Sequence, residues 1–178
     1  PDYKGSCVFL GSGSGIIIRY NQFWGNRNAN GIYHHVENLS IYYNTFSRFR
    51  NGIVSYHDST CLVLNNTFYA CNYAIQGTNI KSINNIFDNK TGLHVPYHEV
   101  KKLDNKNNHY TSGYPGKLST KGDPGFVNGE KGNFRLTPGS PCINKGMPND
   151  IPFDLFGNKV PSGTLPDIGA CEFERKPP

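Results

Sequence analysis

The 178-residue chain is short of the residues that build helices and membrane spans. Charged residues make up 17% and apolar ones 36%, against roughly 25% and 45–50% in an average soluble domain. One Met and one Trp occur. A coiled coil or helical bundle needs abundant Ala, Leu, Glu and Lys at helical spacing, and this chain has no such stretch. Apolar runs are short, as in Cys7-Val8-Phe9-Leu10, which excludes a membrane-spanning helix. The five cysteines, Cys7, Cys61, Cys71, Cys142 and Cys171, show no C-x-x-C pair, which argues against a zinc site. Their odd number leaves at least one thiol unpaired within the chain. With 11 Phe and 11 Tyr, the composition is not that of a disordered segment. About 150 residues per domain is a fair prior, so one domain is expected.

What the chain has instead is Asn, Gly, Tyr and a period. Asn followed two positions later by an aromatic recurs as Asn21-Gln22-Phe23, Asn44-Thr45-Phe46, Asn66-Thr67-Phe68, Asn85-Ile86-Phe87 and Asn108-His109-Tyr110. The aromatics are 23, 22, 19 and 23 residues apart. A second marker keeps time with them: Gly31-Ile32, Gly52-Ile53, Ala74-Ile75 and Gly92-Leu93. Aliphatic stretches precede each Asn, such as Ile16-Ile17-Ile18 and Leu62-Val63-Leu64. A unit of about 22 residues with two or three short strands cannot close a core alone; it can stack, pairing strands with the turns above and below at about 4.8 Å. The leucine-rich repeat has a similar period, but its Leu-x-x-Leu-x-Leu frame is missing. The expected fold is all-β: a right-handed parallel β-helix of about five rungs over residues 1–114, with residues 115–178 as a linker and a mostly irregular C-terminal cap. The repeated Asn is expected to take the left-handed backbone of a tight turn and to bond to the Asn one rung away. The Phe column is expected to stack inside.

After Tyr110 the pattern stops and the grammar changes to Asp123-Pro124-Gly125-Phe126, then Asn133-Phe134-Arg135-Leu136-Thr137-Pro138-Gly139-Ser140-Pro141-Cys142, ending in Asp167-Ile168-Gly169-Ala170-Cys171-Glu172-Phe173. This tail resembles the C-terminal segment of bacterial secreted and surface β-helix proteins of the pectate-lyase-like superfamily, where such a run closes the solenoid. The resemblance covers roughly Asn21 to Phe173 and implies an extracellular or cell-surface bacterial protein. It leaves the activity open, since the scaffold carries lyases, hydrolases and adhesins alike. In such relatives further rungs and an N-terminal cap precede the repeats. A preceding segment or a companion chain covering the first rung is therefore expected, because an open rung edge invites aggregation. Cys142 and Cys171 both fall in the cap and are a candidate disulfide.

Aligning the rungs on the Gly-Ile marker gathers polar loop residues on one side: His34, His35, Glu37, Tyr56, His57, Asp58, Tyr97, His98 and Glu99. Arg27 and Arg48 share one offset ahead of the marker, and Arg50 and Lys90 another, giving a basic column. A polysaccharide lyase would take His35, His57 or Tyr56 as base and Arg48 or Arg50 to neutralise the uronate charge. A glycoside hydrolase would use Glu37 and Asp58 as its two carboxylates. Calcium would want those same oxygens. Arg27, Arg50, His34, Tyr97 and His98 are candidate contacts to an anionic sugar chain. The plain alternative is a set of solvated loop residues making turn hydrogen bonds in a non-catalytic structural or adhesive module. Gly11-Ser12-Gly13-Ser14-Gly15 lacks the Lys-Ser/Thr ending of a phosphate loop and reads as a solenoid turn. Asp150, Asp154 and Asp167 are expected to fix loops of the tail. No nucleic-acid module or clustered basic stripe is found.

Overall fold

The structure, a computed structural model, describes residues 5–56, 59–88, 93–94, 104–112 and 117–174, with only the backbone of 93–94. It is all-β and stacks into a parallel β-solenoid of about four turns. One sheet contains β1 (Ser6–Leu10), β4 (Asn30–His34), β7 (Asn51–Ser55), β10 (Tyr73–Gln76) and β13 (Leu93–His94). A second contains β2 (Ile17–Arg19), β5 (Leu39–Tyr42), β8 (Cys61–Leu64), β11 (Ile80–Ile83) and β14 (Asp104–Lys106). The third contains β3 (Gln22–Trp24), β6 (Thr45–Ser47), β9 (Thr67–Tyr69), β12 (Ile86–Asp88), β15 (His109–Tyr110) and β16 (Thr120–Lys121). Every neighbouring pair in these sheets is parallel and in register with the sequence repeat, as in Phe23 beside Phe46 and Ile32 beside Ile53. No helix among the described residues is long and apolar enough to cross a membrane.

The interior is built from columns. Phe23, Phe46, Phe68 and Phe87 stack at 5.0, 5.0 and 5.3 Å, and Tyr110 continues the column at 4.9 Å. These spacings match the sheet repeat, so one ring per coil fills the same slot. Ile32, Ile53 and Ile75 form another column, and Leu39, Cys61 and Ile80 a third, all fully or nearly fully buried. The Gly-Ile marker has a steric cause. A Cβ on Gly52 would lie 2.6 Å from the Ala74 carbonyl oxygen and 2.7 Å from the Phe68 ring, and one on Gly31 would collide with Gly52 O and Phe46.

The corner between the second and third sheets is held by an amide ladder. In Asn21, Asn44, Asn66 and Asn85 the backbone N–H and the side-chain Nδ2 both donate to Oδ1 of the ladder Asn in the next coil. The N–H bonds measure 2.7–3.0 Å and the Nδ2 bonds 3.0–3.2 Å. Nδ2 of Asn44, Asn66 and Asn85 also donates to main-chain carbonyls at the corner, and Ser119 Oγ accepts from Asn108 N to end the run. The left-handed residue is not the ladder Asn but the one before it: Tyr20, Tyr43, Asn65, Asn84 and Asn107 have φ of 52–60°. The turn is therefore made one position earlier than the motif implies, which leaves the ladder Asn free to aim its amide along the axis.

The described residues of the C-terminal segment strap the flank of the solenoid. The hairpin of β17 (Phe126–Asn128) and β18 (Asn133–Leu136) packs Phe126 and Phe134 on Tyr69. Leu136, Cys142 and Ile168 cover Ile86. The left-handed Asn column supplies the anchor points: Asn65 Nδ2 donates to the Asp167 and Gly169 carbonyls, Asn84 Nδ2 to Met147 O, and Asn107 Nδ2 to Lys145 O. Cys142 and Cys171 are both free thiols, so the candidate disulfide is not formed. They are buried in separate clusters, Cys142 with Leu136 and Ile168, Cys171 with Phe134 and Ala170.

Replacing Asn66 by Ala removes the side-chain donor to Asn85, Ile41 and Leu64 and strands the buried Asn44 N–H. At about 1 kcal/mol per bond and 1–3 for each orphaned buried group, a loss of roughly 3 kcal/mol or more is expected. Asn21→Ala, at the exposed end of the ladder, should cost under about 1 kcal/mol. Urea unfolding of the two variants tests the contrast.

Candidate functional site

Alternation along β4 decides which side chains face outward. Tyr33 points out, in register with Phe9 and Val54; His34 points in, in register with Leu10 and Ser55. His34 is fully buried, its Nδ1 lies 3.3 Å from Val36 O, and its Nε2 has no hydrogen-bond partner. Burial holds its pKa down to about 4, so the ring is neutral. Its assignment as a sugar contact is therefore wrong: the period-2 rule places it inside the solenoid.

Outside, four rings form a cluster across the first three coils. Phe9 stacks on Tyr33 at 5.9 Å, Tyr33 on Tyr56 at 6.1 Å, and His35 lies 4.9–6.1 Å from all three. Phe9 is 55% and Tyr56 39% exposed, while Tyr33 is buried between them. Glu37 follows in the same corner, exposed, with its backbone bonded to Gly13 and Gly15. Of the expected patch, then, the structure brings His35, Tyr56 and Glu37 to one edge and adds Phe9 and Tyr33. Those two rings were legible in principle, because alternation from Ile32 turns Tyr33 to the outer face of the sheet with Phe9 beside it. His57, Asp58, Tyr97, His98, Glu99 and Lys90 lie outside the described residues.

The arginines occupy the opposite edge. Arg27, Arg48 and Arg50 sit before the starts of β4 and β7, whereas His35 and Tyr56 follow their ends. A five-residue strand separates the two edges by roughly 13 Å. Arg48 thus starts from the strand edge opposite the one that carries His35 and Tyr56. Arg27 and Arg48 are neighbours as their shared offset implies, with Arg27 N donating to Arg48 O. Arg48 is already engaged: its guanidinium pairs with Glu130 at 2.5 Å and lies 5.2 Å above the Trp24 ring. Glu130 also accepts from Tyr69 Oη at 2.7 Å, and that bond and Arg48 hold its carboxyl below the usual range. Arg27 and Arg50 are exposed.

A second concavity, of about 330 Å³, lies on the outer face of the second sheet, lined by Asn38, Ser40, Thr60, Leu62, Asn79 and Lys81. Thr60 Oγ1 donates to Asn38 Oδ1 and accepts from Asn38 N, which fixes its rim. Nothing in the marker alignment singles out these residues. Their common position is the turn into β5, β8 and β11.

The buried acidic groups of the tail are spent mostly on the backbone. Asp154 accepts from Phe156 N, Asn158 and Glu172 N; Asp167 from Asn144 N and Phe173 N; Glu172 from Ser162 N and Asp167 N. Among the described residues no three His, Cys, Asp or Glu side chains form a group able to hold a metal ion. Burial raises the Glu172 carboxyl to about 7 in spite of its two backbone donors.

No family model matches the chain, and no curated protein matches it significantly.

Glu172 and His34 make opposite contributions to stability against pH. Folded Glu172 keeps its proton up to about pH 7, whereas the unfolded carboxyl releases it near 4.5. Its contribution is therefore full below about 4.5 and lost as pH rises through 7. Folded His34 stays neutral down to about 4 against 6.5 unfolded, so its contribution is full above 6.5 and lost as pH falls through 4. Relative to the wild type between pH 4.5 and 6.5, the melting temperature of Glu172→Gln should slope upward with pH and that of His34→Leu downward.

Proposed function

We propose that this protein binds a polysaccharide, an anionic one by preference, along the outer face of its first sheet. The observation that carries the reading is the row of rings formed by Phe9, Tyr33 and Tyr56, flanked by His35. Phe9 and Tyr56 are exposed on either side of the buried Tyr33, and flat rings on a rigid sheet suit the apolar faces of sugar rings, with large contact area at little cost in side-chain entropy. Exposed Arg27 and Arg50 at the other edge of the same strands add positive charge where a bound chain crossing the sheet would present carboxylates.

The lyase reading needs a base and a cation at one centre. Its candidate cations, Arg48 and Arg50, start from the far edge of the strands, and Arg48 is held there by Glu130. A non-catalytic binding or adhesive module is thus better supported by these residues than turnover. Membership of the pectate-lyase-like superfamily and an extracellular or bacterial cell-surface setting belong to the same proposal. They are supported by the solenoid and by the structural work of the tail motif. Ser140 bonds Pro124 O and Cys142 N, Asp167 receives two backbone amides, and Ala170 N donates to Thr67 in the solenoid.

Affinity electrophoresis in gels containing polygalacturonate should retard the wild type more than gels containing a neutral glucan. Tyr56→Ala and Phe9→Ala should each weaken retardation about tenfold, the equivalent of roughly 1.4 kcal/mol for one lost ring contact. Equal mobility with and without either polymer defeats the proposal. Release of unsaturated, ultraviolet-absorbing ends would restore the lyase reading instead.

A further inference from the structure

Next to the inward Phe column of the third sheet stand Trp24, Ser47 and Tyr69, register neighbours on three successive coils that alternation turns outward. The turn Gly129–Lys131 between β17 and β18 lies over this row. A Cβ on Gly129 would sit 2.8 Å from the Tyr69 ring, and one on Gly132 3.0 Å from the Trp24 ring. Glu130, at the tip of the turn, reaches back to the row. Its carboxylate accepts from the Arg48 guanidinium and, at 2.7 Å, from Tyr69 Oη.

The row holds more polar capacity than Glu130 uses. Ser47 is 1% exposed, and among the described residues neither its Oγ nor the buried Nε of Arg48 has a hydrogen-bond partner. Buried polar atoms without partners are costly and uncommon. Arg27, exposed and bonded through its backbone to Arg48, adds to the charge that favours ionised Glu130. Asp88, beside Tyr69 in register, is a second carboxylate of this neighbourhood. The Glu130 side chain is 74% exposed, and ion pairs so open to water are weakly held. Rotating that side chain alone would vacate its place, with Phe126 and Phe134 still packed on Tyr69.

Glu130 thus displays the chemistry of the ligand it stands in for. A carboxylate sits between a guanidinium and a phenol hydroxyl, beside the 52%-exposed Trp24 ring, which lies 5.2 Å from the guanidinium carbon. A sugar acid carries both features on one ring, a carboxylate and an apolar face, whereas an acidic peptide side chain carries only the first.

We infer that Arg48, Tyr69, Ser47 and Trp24 form a binding site for the carboxylate-bearing ring of an acidic sugar, which Glu130 occupies in cis until the ligand displaces it. The ligand class rests on the anionic polysaccharide proposed above; the site itself does not depend on the rings of the first sheet. Arg48 shares its edge with Arg27 and Arg50, so the hairpin tip sets how many of the three cations a bound chain meets.

Trp24 is the single tryptophan of the chain, so its fluorescence reads this site alone. Trigalacturonate should shift its emission in the wild type, and neutral cellotriose should not. Glu130→Ala should bind trigalacturonate about fivefold more tightly, and Arg48→Gln about tenfold more weakly. Both variants break the same ion pair, so a bridge that only holds the hairpin would move binding in one direction. Glu174→Ala makes the same change in net charge and should bind as the wild type does. Hydrogen exchange of the β17 and β18 amides checks that the hairpin stays packed. Trp24 emission that trigalacturonate leaves unmoved, even in Glu130→Ala, overturns the inference. So does weaker binding in Glu130→Ala, or an equal gain in Glu174→Ala. The two readings fail separately. Retardation by polygalacturonate that Phe9→Ala weakens, with Trp24 unmoved, removes this site and keeps the first-sheet reading. A Trp24 shift with retardation indifferent to Phe9→Ala and Tyr56→Ala keeps this site and removes the other.

Discussion

Buried main-chain polar groups must find partners, and at the solenoid corner a column of Asn side chains supplies them. A strand-to-strand bend turns peptide groups away from the sheet ladders, and nothing else in the coil can reach them. Each ladder Asn answers with one short side chain that bonds forward to the next coil and sideways to the carbonyls of its own bend. Ring stacking, the apolar columns and the register of the sheets all follow from fixing that corner once per coil. Coil length can then vary, from 19 to 23 residues between ladder positions, because the slack is taken up in loops elsewhere.

The neighbouring column does a different job with the same residue type. Asn65, Asn84 and Asn107 take the left-handed conformation and turn their amides outward to the tail. Two adjacent Asn thus divide the work of bending the chain and recruiting the strap. The strap in turn buries Asp154, Asp167 and Glu172 and satisfies them with backbone N–H groups rather than cations. Its irregular backbone is held by those carboxylates in place of a sheet.

Periodicity made the fold legible, because a coil that recurs must place equivalent residues at equivalent points. The Asn-x-aromatic and Gly-Ile markers are such residues, and both proved to be contacts between coils. Orientation within a strand was less legible. His34 and His35 look alike in a loop alignment, but alternation buries one and exposes the other. The fate of Arg48 was not legible at all, since its partner Glu130 lies 82 residues away in a segment outside the repeat. Contacts between a periodic part and an aperiodic one leave no trace in the period.

Solenoids are one-dimensional chains of nearest neighbours, and such chains fray coil by coil from their ends. Here the strap touches the second and third coils through Arg48 and Tyr69, the fourth through Asn84 and the fifth through Asn107. It works like the spine of a book. From the second coil on, a page cannot loosen without pulling on a binding that its neighbours share, so stability that would be local becomes collective.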